Sequence, residues 1–168
     1  MSVFNNAFLA LIGVVLSAYS VYVEHKTEHL DDGPDGEDFQ ALCDIKAIGA
    51  SCSAVFSLPE GKMLSFFGIV PEGHALDIPN GVLGMLFYSY ILIRYFTSKQ
   101  YTGLSTLFTP TVNMLISSLA IASSVFLLRK LYIIQELCVV CLSTHIINTT
   151  LWIRATREGL DSSHMKTQ

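Results

Sequence analysis

Charge is what this sequence has least of. Asp, Glu, Lys and Arg together make up 14% of its 168 residues, while 51% are hydrophobic; an ordinary soluble domain carries roughly a quarter charged residues. That balance excludes a soluble globular domain of this size and makes a membrane protein the expected class. No basic cluster is present to bind nucleic acid. No phosphate-binding loop and no Ser-His-Asp arrangement appears.

In place of charge there are long apolar runs. "FNNAFLALIGVVLSAYSVYV" at 4–23 has no charged residue and about the ~20 residues that cross a bilayer as a helix. Three more runs follow, at 78–96, 104–128 and 131–153, set apart by charged hinges at Arg94 to Gln100 and at Arg129 to Lys130. The expectation is an all-α membrane protein, one domain over 1–168, with four transmembrane helices and both termini on one side. A cleaved signal peptide is the alternative for the first run, but a basic leader and a small-residue cleavage site are missing. Pro110 is expected to kink the third span near its start, and the small residues of "SSLAIASS" at 117–124 allow close helix approach.

The long connection, 24–77, holds eleven acids against Lys26, Lys46 and Lys62, a net of −8. Within it "DDGPDGED" at 31–38 reads as exposed turn, and "KMLSFFGIV" at 62–70, too short to span, as a cap lying over the bundle. His25 and His29, four apart beside Glu24 and Glu28, read as a solvated helix extension rather than a metal site.

Basic residues do not settle orientation: Arg94, Lys99, Arg154, Arg157 and Lys166 balance Lys26, Lys46, Lys62, Arg129 and Lys130. The cysteines do. Cys43, Cys52, Cys138 and Cys141 all fall on the loop side or just beneath it, and disulfide chemistry needs an oxidising compartment. The acidic loop is therefore expected in the endoplasmic reticulum lumen or an equivalent space, with both termini cytosolic.

"ELCVVCLSTH" at 136–145 carries the chemistry. At about 100° per residue, Cys138, Cys141 and His145 share one helical stripe, which Asn148 and Thr149 extend. Counted from Leu131, Cys138 is expected about 10 Å into the span. Buried thiols often only pack. A Cys-x-x-Cys pair can also interconvert between dithiol and disulfide. With His145 it could instead offer three soft metal ligands, although a fourth is missing nearby. Cys43 and Cys52 favour redox, since two pairs can pass two electrons by thiol–disulfide exchange without a cofactor; a static loop staple is the plainer reading of that second pair.

These residues resemble the vitamin K epoxide reductases and their bacterial quinone-coupled homologues. The likeness runs from "ALCD" at 41–44 and "SCSAVF" at 51–56, through "PNGVLGMLFY" at 79–88, to "ELCVVCLSTHIIN" at 136–148. It implies a four-helix bundle around a quinone pocket, capped by the lumenal loop between helices one and two. It implies that Cys138 and Cys141 form the active-site pair, with Cys141 facing the substrate, and that Cys138 exchanges with Cys52. Cys43 and Cys52 would take electrons from a thioredoxin-like lumenal protein. Asn80 would hydrogen-bond one quinone oxygen, and Phe56 and Phe87 would line the ring pocket. Asn80 could equally cap the second span.

Two departures stand out. His145 takes the place of a tyrosine that in vertebrate members hydrogen-bonds the other quinone oxygen, and the loop cysteines lie one residue further apart than in those members. A neutral imidazole can still donate one hydrogen bond. The expected activity is thiol-driven reduction of vitamin K epoxide or a quinone, with a dithiol reductant, no bound cofactor or metal, and membrane lipid as surroundings. The same relay run backwards would be a quinone-coupled disulfide-forming oxidase. A non-enzymatic tetraspan or a metal-handling membrane protein are the readings of another class.

Overall fold

The computed structural model describes residues 2–30, 40–56, 58, 61–97 and 108–166. Within them the chain is helical. Four long helices, α1 (Ser2–Leu30), α4 (Asn80–Thr97), α5 (Pro110–Ile134) and α6 (Val139–Lys166), enclose the interior, and two short ones, α2 (Cys52–Phe56) and α3 (Met63–Phe66), lie in the connection between α1 and α4. Among the described residues the only β pairings are isolated bridges, Ile45 with Ala50 and Ala50 with Leu137. The acidic turn expected at 31–38, the hinge residues 98–100 and the expected third-span start at 104–107 lie outside the described residues.

Two helices, over Asn5–Thr27 and Pro110–Ile134, are long and apolar enough to cross a membrane. α4 is diluted by Asn80, Arg94 and three tyrosines, and α6 by the charged half that follows Ile153. All four long helices turn large apolar side chains outward, among them Phe8, Leu86, Leu119 and Ile146. Such faces are unfavourable in water and natural against lipid.

α1 packs on α4 and α5 on α6, with α1 also touching α6. Small residues make the first pairing possible. A Cβ at Gly13 would lie 2.6 Å from the Tyr88 ring, and one at Gly84 would lie 2.6 Å from Ser17 Oγ. Only glycine allows the two backbones that close. At the end away from the loop, Arg94 of α4 pairs with Glu158 of α6, which also accepts from Asn113 of α5 at 3.5 Å.

Two expected boundaries move. Pro110 does not kink a helix: it is the first residue of α5, behind Thr109, whose hydroxyl accepts from Val112 N at 3.3 Å. A proline there loses no hydrogen bond, because first-turn N–H groups have no partner within the helix. Arg129 and Lys130 are not a hinge but the end of α5, which continues to Ile134 and stops at Gln135 in the left-handed region, φ 58°. Lys130 stays helical by laying its ammonium over the rings of Phe66 and Phe126, 4.8 and 5.7 Å from their centroids.

Candidate active site

Moving that boundary changes where Cys138 sits. It precedes α6 instead of lying two turns inside a span, and its sulfur accepts from Cys141 N at 3.2 Å. That is the geometry of a helix N-cap with sulfur in place of oxygen, and it puts the positive end of the helix dipole against the sulfur.

The loop reaches Cys138 through a few backbone bonds. Ile45 and Ala50 exchange hydrogen bonds of 2.9 and 3.1 Å across a tight turn closed by Gly49 at φ 65°, a conformation that favours glycine. Ser51 N then donates to Leu137 O at 2.9 Å, laying this turn beside the residue that precedes Cys138. Asp44 ties it together, accepting from Ala41 N at 2.9 Å, Ser53 N at 3.1 Å and the Ser53 hydroxyl at 2.7 Å. Partial burial pushes the Asp44 carboxyl up, but the bonds from Ser53 and Ala41 together outweigh it and hold it below its ordinary value. The Tyr19 hydroxyl accepts from Leu42 N at 2.9 Å, pinning the turn to α1.

Cys43 and Cys52 are joined in a disulfide, while Cys138 and Cys141 are free thiols. Cys52 and Cys138 are both 0% exposed, and their sulfurs lie 3.7 Å apart. Val23, Leu131 and Val140 pack around them. Cys43 is 8% exposed, which makes it the more accessible half of the disulfide.

Below the cysteines, between the α1/α4 and α5/α6 pairs, lies a cavity of about 350 Å³ with mostly apolar walls. Cys141 and His145 line it from α6, Asn80 and Phe87 from α4, and Phe56 from α2. Five of the eight residues singled out from the sequence thus meet at one cavity. The other three, Cys43, Cys52 and Cys138, form a sulfur cluster behind Cys141. His145 is 6% exposed, and neither ring nitrogen has a hydrogen-bond partner. Asn80 Oδ1 accepts from Met63 N at 3.0 Å, so its carbonyl end fastens the first turn of α3, and its NH2 is the donor end.

Sequence reasoning put Asn148 on the stripe of Cys138 and His145 but missed the links it makes along the far wall. Tyr88 donates to Asn148 Oδ1 at 2.7 Å and Asn148 Nδ2 to Ser124 Oγ at 2.8 Å, linking α4, α6 and α5 along the cavity. It also missed Ser17, Ser20 and Glu24, buried on α1 and lining the cavity. Steps of three and four through Ala10, Gly13, Ser17, Ser20 and Glu24 were the available signal. Of the two histidines beside the acids, His25 is exposed, and the His29 side chain lies outside what is described. Among the described residues, ligand-type atoms come within metal-binding range at Cys43, Asp44 and Cys52, where both sulfurs are already bonded to each other.

A thiol on the wall of an apolar cavity, with its partner thiol and a disulfide in contact behind it, is a layout suited to a membrane oxidoreductase. The particular family follows from comparison. The model of the vitamin K epoxide reductase family matches residues 6–156, and the chain belongs to that family. It is 30% identical over 150 residues to vitamin K epoxide reductase complex subunit 1 of Mus musculus, covering 86% of this chain and 83% of that protein. To the protein of the same name from Rattus norvegicus it is 28% identical over 151 residues, with the same shares. Membership supports a redox function of this reductase type.

Proposed function

We propose that the protein reduces a quinone, vitamin K epoxide or both within the endoplasmic reticulum membrane, by a relay through two cysteine pairs. The contact between Cys52 and Cys138, with Cys141 on the cavity wall, carries this reading. Four helices would span the membrane, with the 24–77 loop as a lumenal cap and both termini cytosolic.

The reaction starts with a quinone in the cavity and Cys138 and Cys141 reduced. Cys141 sulfur supplies charge to the ring, and hydrogen bonds from Asn80 and His145 favour the developing oxyanions. Formation of the Cys138–Cys141 disulfide releases two electrons, and the two thiol protons end on the two oxygens, giving hydroquinone. An epoxide is reduced by the same two electrons, its oxygen leaving as water with those protons. A reduced loop pair then restores the membrane dithiol: Cys52 thiolate attacks Cys138, and Cys43 attacks Cys52 to close the loop disulfide and release Cys138. Cys43–Cys52 closed with Cys138 and Cys141 free is the state after that transfer. A thioredoxin-like lumenal dithiol reopens the loop pair, entering at the more accessible Cys43.

His145 fits this cavity better as a ligand partner than as packing, since a buried imidazole with two unpaired nitrogens is costly unless something fills the gap. Phe56 and Phe87 supply apolar wall for a ring. Metal analysis combined with thiol counting tests the whole reading. The reduced protein should lose two thiols per quinone added, with no metal in stoichiometric amount. Bound metal with unreactive thiols would favour the metal-handling alternative. Oxidation of a substrate protein's thiols at the expense of quinone would favour the reverse, disulfide-forming direction.

A further inference from the structure

We propose that Glu24 is the acid–base group of this cavity, giving a proton to the substrate oxygen held at the Asn80 end and recovering one between turnovers. The proposal rests on the quinone reading above and adds a residue to it.

α1 meets α4 along a seam of small residues, Ala10, Gly13, Ser17 and Ser20. The next step of that repeat is Glu24, where a long acid replaces a small side chain. It does not swing out to water: it is 4% exposed and lines the cavity. Among the described residues of the cavity wall it is the only carboxyl group. Its place relative to Asn80 follows from shared neighbours. A Cβ at Gly61 would lie 3.7 Å from Glu24 Oε1, and two residues further on Met63 N is held by Asn80. Glu24 and Asn80 therefore flank the same stretch of chain, across the cavity from Cys141 and His145.

Quinone reduction needs a proton at each oxygen. The thiols and His145 lie on the α6 side and serve the oxygen there. At the other oxygen an amide can donate a hydrogen bond but cannot release its proton, whereas a carboxylic acid can. Glu24 as the neutral acid protonates that oxygen as the two electrons arrive. Its carboxylate then takes up the proton released when the second thiol is consumed. Two thiols and a quinone become a disulfide and a hydroquinone, and Glu24 returns to its starting form. The other titratable groups of the wall are Tyr88 on α4, Lys130 on α5, and Cys141 and His145 on α6, with Lys62 next to Gly61.

The test uses the full chain in lipid, dithiothreitol as reductant and a short-tailed naphthoquinone, with kcat and KM followed across pH. For the wild type a bell is expected, rising as thiolate forms and falling as the acid is lost. Glu24→Gln should leave KM within about twofold, lower kcat on the order of 100-fold and abolish the alkaline limb. Glu24→Asp should keep the limb at reduced kcat. A wild-type bell and kcat in Glu24→Gln overturns the proposal. Should that variant not fold, a wild-type kcat in Glu24→Asp, whose carboxyl is withdrawn by one methylene, overturns it equally. Thiol counting on the wild type keeps the two levels apart: two thiols lost per quinone with an unaffected Glu24→Gln rejects only Glu24, whereas no thiol loss in the wild type rejects the quinone site itself.

Discussion

Asn80 Oδ1 accepts a hydrogen bond from Met63 N at 3.0 Å, so the first residue of α4 holds the start of α3 at the cavity wall. The same side chain is then asked to do two things, hold the cap and donate to substrate, and these can be separated. Asn80→Asp keeps an acceptor for Met63 N–H and removes the donor. Proteolytic resistance around 61–67 should survive while quinone turnover falls by about 10- to 100-fold, the loss of one hydrogen bond to developing charge. Asn80→Ala should lose both. Equal proteolysis of the two variants would mean that the Met63 bond does not hold the cap.

His145 is tested by size and polarity. His145→Tyr retains a donor at similar depth and should keep most activity, whereas His145→Phe should cost about 1.5–3 kcal/mol of transition-state stabilisation. Steady-state kcat/KM on quinone and on epoxide measures both. Wild-type rates in His145→Phe would reduce the imidazole to packing.

Asp44 makes the loop acid-sensitive. Its carboxyl is held below the ordinary value of 3.8, so its contribution is complete above that value in the folded protein and is lost as pH falls below it, through the lower folded value. Protection of the Ala41 and Ser53 amides against hydrogen exchange, taken relative to the unprotected rate at each pH, should therefore fall as pH drops below 3.8 in the wild type. Asp44→Asn should lack this step. At neutral pH that variant should turn over with a small dithiol but slow with a thioredoxin-like protein, because only the protein reductant depends on the loop.

The close approach of α1 and α4 predicts a compensating pair. Gly84→Ala puts a methyl 2.6 Å from Ser17 Oγ and 3.4 Å from Ser17 Cβ. Overpacking of this kind costs typically about 1–3 kcal/mol. Ser17→Ala removes the nearer atom, so the double variant should recover much of the lost thermal stability in detergent. Additive losses would place the strain elsewhere.

Helical architecture was legible in the sequence because apolar runs with membrane length admit few other structures. Helix ends were less so. Arg129 and Lys130 looked like a break because charge usually marks one, yet the rings of Phe66, far away in sequence, and of Phe126, one turn back on the same helix face, gave Lys130 a place to lie. Cys138 was consequently expected too deep. The cavity's cysteines, Asn80 and His145 could be found from local spacing and family likeness. The bonds that join Tyr88, Asn148 and Ser124 could not, although Asn148 extends the stripe of Cys138 and His145, because hydrogen bonds between three helices leave no mark on any one of them. Glu24 stood in plain view on the seam repeat, but its charge invited assignment to the acidic loop that follows.

The relay itself makes the sharpest prediction, since the sulfurs of Cys52 and Cys138 lie 3.7 Å apart across 86 residues of sequence. With a membrane-permeant dithiol as reductant, Cys43→Ala and Cys52→Ala should keep much of their quinone turnover, because the reductant reaches the Cys138–Cys141 disulfide directly. With a thioredoxin-like protein both should lose it. Cys138→Ala and Cys141→Ala should fail under either condition, as no disulfide can then form beside the substrate. Removing Cys141 leaves Cys138 facing only Cys52, so a Cys52–Cys138 crosslink should accumulate and appear as a peptide pair after digestion without reduction. A Cys43–Cys138 pair in its place would reverse the order of the loop cysteines while leaving the reaction intact. If all four variants were inactive with both reductants, Cys43–Cys52 would be a structural staple, and the 3.7 Å contact would be packing without exchange.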